Sequence, residues 1–177
     1  MEAKNLTREY IFQSFFKLLE TVSYEKLSVS NITDKAGVSR MSFYRNFKSK
    51  EDLVKESLNK IINHLQDLIK NQESKNEYTI IKCFFETFKE YKTLLISLSN
   101  SPISKNIINI TKLKLQENFP QDTFNKTQKY VPVFYYSAII SVMFEWLNNG
   151  CEESPEEMSR FLCSLTAVDI YEQFNKI

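Results

Sequence analysis

Residues 28–53 read SVSNITDKAGVSRMSFYRNFKSKEDL, and three serines in this stretch stand where three consecutive short helices would start. A serine ahead of an apolar-periodic run accepts a backbone N–H of the first helical turn, and an apolar residue just before it packs on the fourth helical residue. Ser28 lies between Leu27 and Ile32 at those offsets, and Ser39 between Val38 and Phe43. Ser49 has Asp52 three residues on, the capping-box spacing. The spacing predicts one helix over about Val29 to Ala36 and a second over about Arg40 to Phe47. Between them Gly37, which tolerates a left-handed backbone, suits a helix C-terminus. Two short helices joined by a tight glycine turn form a helix-turn-helix, in which the second enters a DNA major groove.

The side chains agree with that geometry. Lys35, Arg40, Arg45, Lys48 and Lys50 are basic, and no acidic residue falls between Lys35 and Lys50. Arg40, Ser42, Tyr44 and Arg45 offer hydrogen-bonding groups on the second helix. Arginine and lysine neutralise phosphates, and arginine also bonds a guanine edge with two N–H groups. Phe43 and Phe47 are four residues apart and share one face, which marks them as core, whereas Arg40 and Tyr44 share another.

The stretch AGVSRMSFYRNFKSKEDL resembles the signature of the TetR family of bacterial transcriptional regulators, through Ala36, Gly37, Val38, Ser39, Ser42, Phe43, Tyr44, Phe47, Lys50 and Leu53. The resemblance covers roughly residues 5 to 58, and Met41 departs from it, standing where the family usually has a small residue. It implies that Tyr44 and Lys50 hold phosphates, Lys50 from the start of a fourth helix whose N–H groups and dipole favour an anion. The expected DNA-contacting set is Thr7, Ser28, Ser39, Arg40, Met41, Ser42, Tyr44, Arg45, Lys48 and Lys50.

A helix ahead of the trio completes the domain. Thr7 is expected to cap it, with Leu6 packing on Ile11, and Ile11, Phe15, Leu18, Leu19 and Val22 follow helical spacing. Arg8 near its start either reaches a phosphate or touches nothing. The predicted division is a DNA-binding domain at 1–48 and a helical effector-binding and dimerisation domain at 49–177.

With two glycines and four prolines in 177 residues, the chain is expected to be all-α, with about nine helices. Leu53, Leu58, Ile61, Ile62, Leu65, Leu68 and Ile69 mark a long fourth helix ending near position 71. Ile80 to Phe88 define another, and Leu94 to Leu98 a short one. A further apolar run goes from Ile103 to Leu115. Then come a helix over about Val131 to Asn149, stopped by Gly150, and a last one opened by Ser154, Pro155 and Glu157.

The net charge is +1, but Glu145 to Glu172 holds seven acidic residues against Arg160 alone. A basic reader and an acidic far end would orient the molecule on DNA. No run of 18 apolar residues and no signal-peptide core is present, so a soluble cytoplasmic protein with no membrane partner is expected. Cys83, Cys151 and Cys163 are odd in number and unclustered, which signals neither a disulfide framework nor a metal site. His64 is the single histidine, and neither a catalytic constellation nor a cofactor motif accompanies it, so no enzyme is expected.

Val131 to Asn149 is apolar almost all round and must be buried on more than one side. The family resemblance implies that the last two helices pack with those of a second subunit as a four-helix dimer interface. Tyr136, Ile140, Met143, Leu147, Phe161, Leu162, Leu165 and Val168 are the residues expected there. It also implies a ligand pocket in the middle domain, with Phe84, Phe85, Phe88, Tyr91, Leu95, Ile107, Phe134 and Tyr135 as walls for an apolar or aromatic effector. The expected function is a homodimeric repressor that leaves a pseudo-palindromic double-stranded operator when a small molecule binds. The alternative is a regulator controlled by a protein partner.

Overall fold

The structure, a computed structural model, describes residues 2–102 and 130–166, with side chains from Leu6 onward except at 131, 132, 135, 136 and 166. Among these residues are eight α-helices, one 3-10 turn and no strand. The helices are α1 (Glu2–Leu19), α2 (Val29–Ala36), α3 (Arg40–Asn46), α4 (Lys50–Lys70), α5 (Glu77–Glu90), α6 (Lys92–Ser99), α7 (Val131–Asn148) and α8 (Pro155–Thr166), with the 3-10 turn at Tyr24–Lys26. The run from Ile103 to Leu115 lies outside the described residues, as do Ile107 and Val168 and the side chains of Tyr135 and Tyr136.

Two compact units are formed, one drawn from Met1–Ile61 and Thr93–Ser104, the other from Ile62–Lys92 and Lys105–Ile177. This cut differs from the expected 48/49 boundary, because α4 starts in the first unit. Arg8 and Lys60 hold it to α1 through ion pairs to Glu56 (2.8 Å) and Glu9 (2.7 Å).

In the first unit α1, α2 and α3 pack on one another. Ile11, Phe12, Phe15, Ile32, Phe43 and Phe47 are buried there, and burying each such side chain contributes about 1.5–3 kcal/mol. The ring of Phe47 meets Phe12 edge-on at 5.3 Å and Phe43 at 5.6 Å.

The start of α1 differs from expectation. Thr7 lies inside the helix, which begins at Glu2, and Leu6 is 54% exposed rather than packed on Ile11. Glu, Ala, Lys and Leu are strong helix formers, so their summed propensity carries the helix past a threonine that would otherwise cap it. The other end is shorter than the apolar spacing suggested: α1 stops at Leu19, and Val22 closes a turn by donating its N–H to the carbonyl of Leu18.

In the second unit α5 packs on α8 and α7. Phe85 is fully buried and meets the Trp146 ring edge-on at 5.0 Å, while Trp146 Nε1 donates to the carbonyl of Glu153 and closes the α7–α8 connection. The α7 terminus turns through Gly150 (φ 94°) and Cys151 (φ 60°), whose N–H groups donate to the carbonyls of Leu147 and Trp146. A cysteine in the left-handed region costs about 1–2 kcal/mol, offset by its burial and by that hydrogen bond. At the next helix Ser154 and Glu157 form a complete capping box: Glu157 N–H donates to Ser154 Oγ, and Glu157 Oε2 accepts from Ser154 N–H.

The expected interface set separates here. Ile140, Met143, Leu147 and Leu162 are buried within the chain, so they build its own core rather than an open surface. Ile140, Met143 and Leu147 fall on one stripe of α7 and Trp146 is buried beside them, whereas Ile139, Val142 and Phe144 are half-buried and Phe134 is exposed. Phe161 and Leu165, four residues apart on α8, are about half exposed.

Candidate nucleic-acid interface

The site is built from its caps. Ser28 Oγ accepts the N–H of Asn31, whose Oδ1 accepts from Ser28 N–H at 2.9 Å, so α2 opens with a reciprocal box. Its C-terminus closes on Gly37 (φ 66°), with Gly37 N–H donating to Asp34 and Val38 N–H to Thr33. A Cβ at position 37 would meet nothing within 4 Å, so the dihedral angle and not crowding favours glycine there. Ser39 then starts α3 by accepting the N–H of Ser42 at 3.1 Å, and the two hydroxyls are 3.0 Å apart.

These contacts fix which way the seven residues of α3 face. Phe43 is fully buried, while Arg40, Met41, Tyr44 and Arg45 are exposed, with Lys48 just beyond. These four expected DNA contacts are thus all open to solvent, and the exposed Lys48 follows them. Ser28, Ser39 and Ser42 take part in capping, and Thr7 is half-buried within α1.

Lys50 stands differently. Its Nζ donates to the carbonyls of Tyr24 and Leu27, each at 2.8 Å, and lies 4.1 Å from the centre of the Tyr24 ring. Two of three ammonium protons therefore hold the 3-10 turn against the start of α4, leaving at most one for a phosphate. Burial lowers the Lys50 pKa, opposed by the nearby Glu51 and Glu25 carboxylates. Glu51 is itself held below the usual carboxylate range, chiefly by a hydrogen bond from Ser49. Burial, reinforced by Glu51, pushes the Tyr24 phenol well up. The expected box at Ser49 is offset: Ser49 Oγ accepts Asp52 N–H, but the Asp52 carboxylate accepts from Lys48 N–H.

Arg8 is neither idle nor an open phosphate ligand. Its guanidinium donates to the carbonyl of Asn46 at the end of α3, pairs with Glu56 on α4, and lies 4.7 Å from the Phe47 ring centre. The charge sits where the helix dipole favours a cation, and it ties three helices together. The sequence offered for it only a phosphate or no partner at all. The contacts with Asn46, Phe47 and Glu56 join residues far apart in sequence and left no local signal.

In the second unit Phe84 and Phe88 stack at 4.3 Å and are buried with Phe85, and Tyr91 is half-buried. Of the other expected pocket walls, Leu95 belongs to the first unit and Phe134 is 60% exposed. His64 faces Glu90 at 3.7 Å and the Tyr91 ring. No group of three His, Cys, Asp or Glu side chains among the described residues is placed to hold a metal ion. No helix among them is long and apolar enough to cross a membrane.

Comparison with known proteins agrees with the architecture. Residues 74–167 match the transcriptional regulator C-terminal region of the TetR type, and residues 14–57 match the bacterial regulatory proteins of the tetR family. The chain is 28% identical over 166 residues to an uncharacterised HTH-type transcriptional regulator, YxbF, of Bacillus subtilis (strain 168). That alignment takes in 87% of the chain but 43% of YxbF, so the chain spans less than half the length of this relative. Among solved structures, the dihydroxyacetone kinase operon activator DhaS aligns with a TM-score of 0.69 at 19% identity, covering 93% of this chain and 96% of that one. NalD of Pseudomonas aeruginosa, the secondary repressor of the MexAB-OprM multidrug efflux pump, aligns with a TM-score of 0.68 at 16% identity, covering 93% and 95%.

Proposed function

The chain belongs to the TetR family of bacterial transcriptional regulators, and from that premise we propose that it is a cytoplasmic homodimeric repressor that leaves a pseudo-palindromic operator when a small apolar or aromatic molecule binds. Proteins of this family are DNA-binding regulators rather than enzymes. The observation that carries the reading is the outer face of α3, where Arg40, Tyr44 and Arg45 stand exposed on a helix locked by Ser39 and Phe43. Arg40 and Arg45 are the base and phosphate readers, Tyr44 and Lys48 contact phosphates, and Lys50 chiefly holds the 3-10 turn beneath them.

A second subunit supplies the second reader. Phe161 and Leu165 on α8 support that pairing, since two large apolar side chains one turn apart form a stripe of the kind that packs against a partner helix. The effector reading is supported by the stacked Phe84 and Phe88 beside half-buried Tyr91.

Selection from random duplexes tests the core of this reading. The expected product is a two-fold symmetric site with half-sites about 34 Å apart or a multiple of that spacing. Arg40→Ala then loses about 1–3 kcal/mol of preference at one base pair per half-site. No enriched sequence would defeat the reading. Phe161→Glu is expected to give a monomer in sedimentation, and an unchanged dimer would move the interface elsewhere. Release of the operator by a protein but by no small aromatic or aliphatic compound would move control to a protein partner.

A further inference from the structure

We propose that Met41 is a specificity-determining residue of the reader helix beside the arginines, selecting a thymine by packing its thioether side chain on the C5 methyl group in the major groove. The inference rests on α3 being the DNA-reading element. Met41 is 74% exposed, more than any other large hydrophobic side chain among the described residues. It occupies the second position of α3, the end from which side chains of a reader helix reach base edges. On one side stands Arg40, and one turn on stand Tyr44 and Arg45, all exposed. No acidic residue occurs between Lys35 and Lys50.

An apolar side chain held out from a basic surface fits a partner that is anionic around one apolar feature. The edges of the base pairs in the major groove present donors, acceptors and a single apolar group, the thymine methyl. A thioether donates no hydrogen bond and accepts one weakly, so guanine, adenine and cytosine edges offer Met41 almost nothing. Its unbranched chain carries enough torsional freedom to seat on a methyl without moving the helix. The Ser39 cap and buried Phe43 hold the backbone beneath it.

The test uses the full-length protein and the duplex that selection yields. Each thymine of the selected site is replaced in turn by deoxyuridine, which removes only the methyl group. Wild-type protein is expected to bind about four-fold more weakly at one thymine per half-site, the effect of one buried methyl, and about fifteen-fold more weakly when both are replaced. Met41→Ala is expected to bind thymine and deoxyuridine at that position equally, and Met41→Leu to keep the distinction. Since position 41 is exposed, both variants fold, and circular dichroism checks this. If wild type tolerates deoxyuridine at every thymine, or if Met41→Ala keeps the wild-type difference, the inference is overturned while the DNA-reading assignment of α3 stands. If selection enriches no sequence, both fall together.

Discussion

Helices α3 and α7 put apolar residues to opposite use. In α3, seven residues long, Phe43 is buried while Met41 and Tyr44 face outward. In α7, eighteen residues long and apolar almost throughout, Ile140, Met143, Trp146 and Leu147 are buried and Phe134 is exposed. The short helix has its direction set by a cap at one end and an aromatic pair behind it. The long one carries so many apolar positions that its composition demands burial without saying against what. Local chemistry therefore specifies the reader closely, whereas the C-terminal helices depend on which surfaces meet.

The sharpest way to break this comparison sets two phenylalanines against each other. Phe43→Ala removes a fully buried ring and is expected to cost about 3–5 kcal/mol in denaturant unfolding. Phe161→Ala, on a side chain 49% exposed, is expected to stay within about 0.5 kcal/mol for the single chain. Comparable losses would show that Phe161 is core and that the contrast fails.

Lys50 offers the next largest effect. With two carbonyls depending on its ammonium, Lys50→Ala is expected to cost about 1.5–3 kcal/mol of stability. The salt dependence of DNA binding, measured under conditions where the variant is folded, is expected to change little. A stable variant whose salt slope falls by about one unit would instead make Lys50 chiefly a phosphate ligand.

Gly37 sharpens the reader's side of the comparison. Gly37→Ala places a Cβ where there is room but φ is 66°, so a loss of about 1–2 kcal/mol is expected from backbone strain alone. Gly37→Asn is expected to recover part of it, because asparagine tolerates the left-handed region. Equal stability of all three in urea titrations would show that the turn has rearranged.

The smallest effect belongs to the C-terminal cap. Hydrogen bonds from Ser154 hold the Glu157 carboxyl below the usual carboxylate range. A lowered folded value means that this contribution is present above the ordinary carboxylate pKa and lost as pH falls through the lowered one. Glu157→Gln is expected to flatten the acid side of the stability profile slightly. An unaltered profile would show that the box carries no measurable charge contribution.

The helix-turn-helix was legible because each of its signals acts within four residues. Ser28, Ser39 and Gly37 need only their own backbone neighbours, and the structure places all three as the spacing requires. The start of α1 was not legible, because a capping threonine competes with helix formers ahead of it, and the sum prevails. Lys50 was assigned by resemblance alone, while its two carbonyl partners lie 23 and 26 residues away. Half of the expected interface set lies in the core, because an apolar stripe looks the same whether its partner is in the same chain or another.

By itself, then, the sequence determined an all-helical chain, the three caps, the glycine turn and the basic outer face of α3. Those follow from short-range hydrogen bonding and from periodicities of three to four residues. Only the tertiary structure decided that Arg8 clamps the end of α3, that Lys50 holds the 3-10 turn, and that Ile140, Met143 and Leu147 face inward. The physical reason is that charge pairing and apolar burial carry no record of sequence separation. A guanidinium or a leucine meets whatever the fold brings within reach, and that is set by the packing of whole helices.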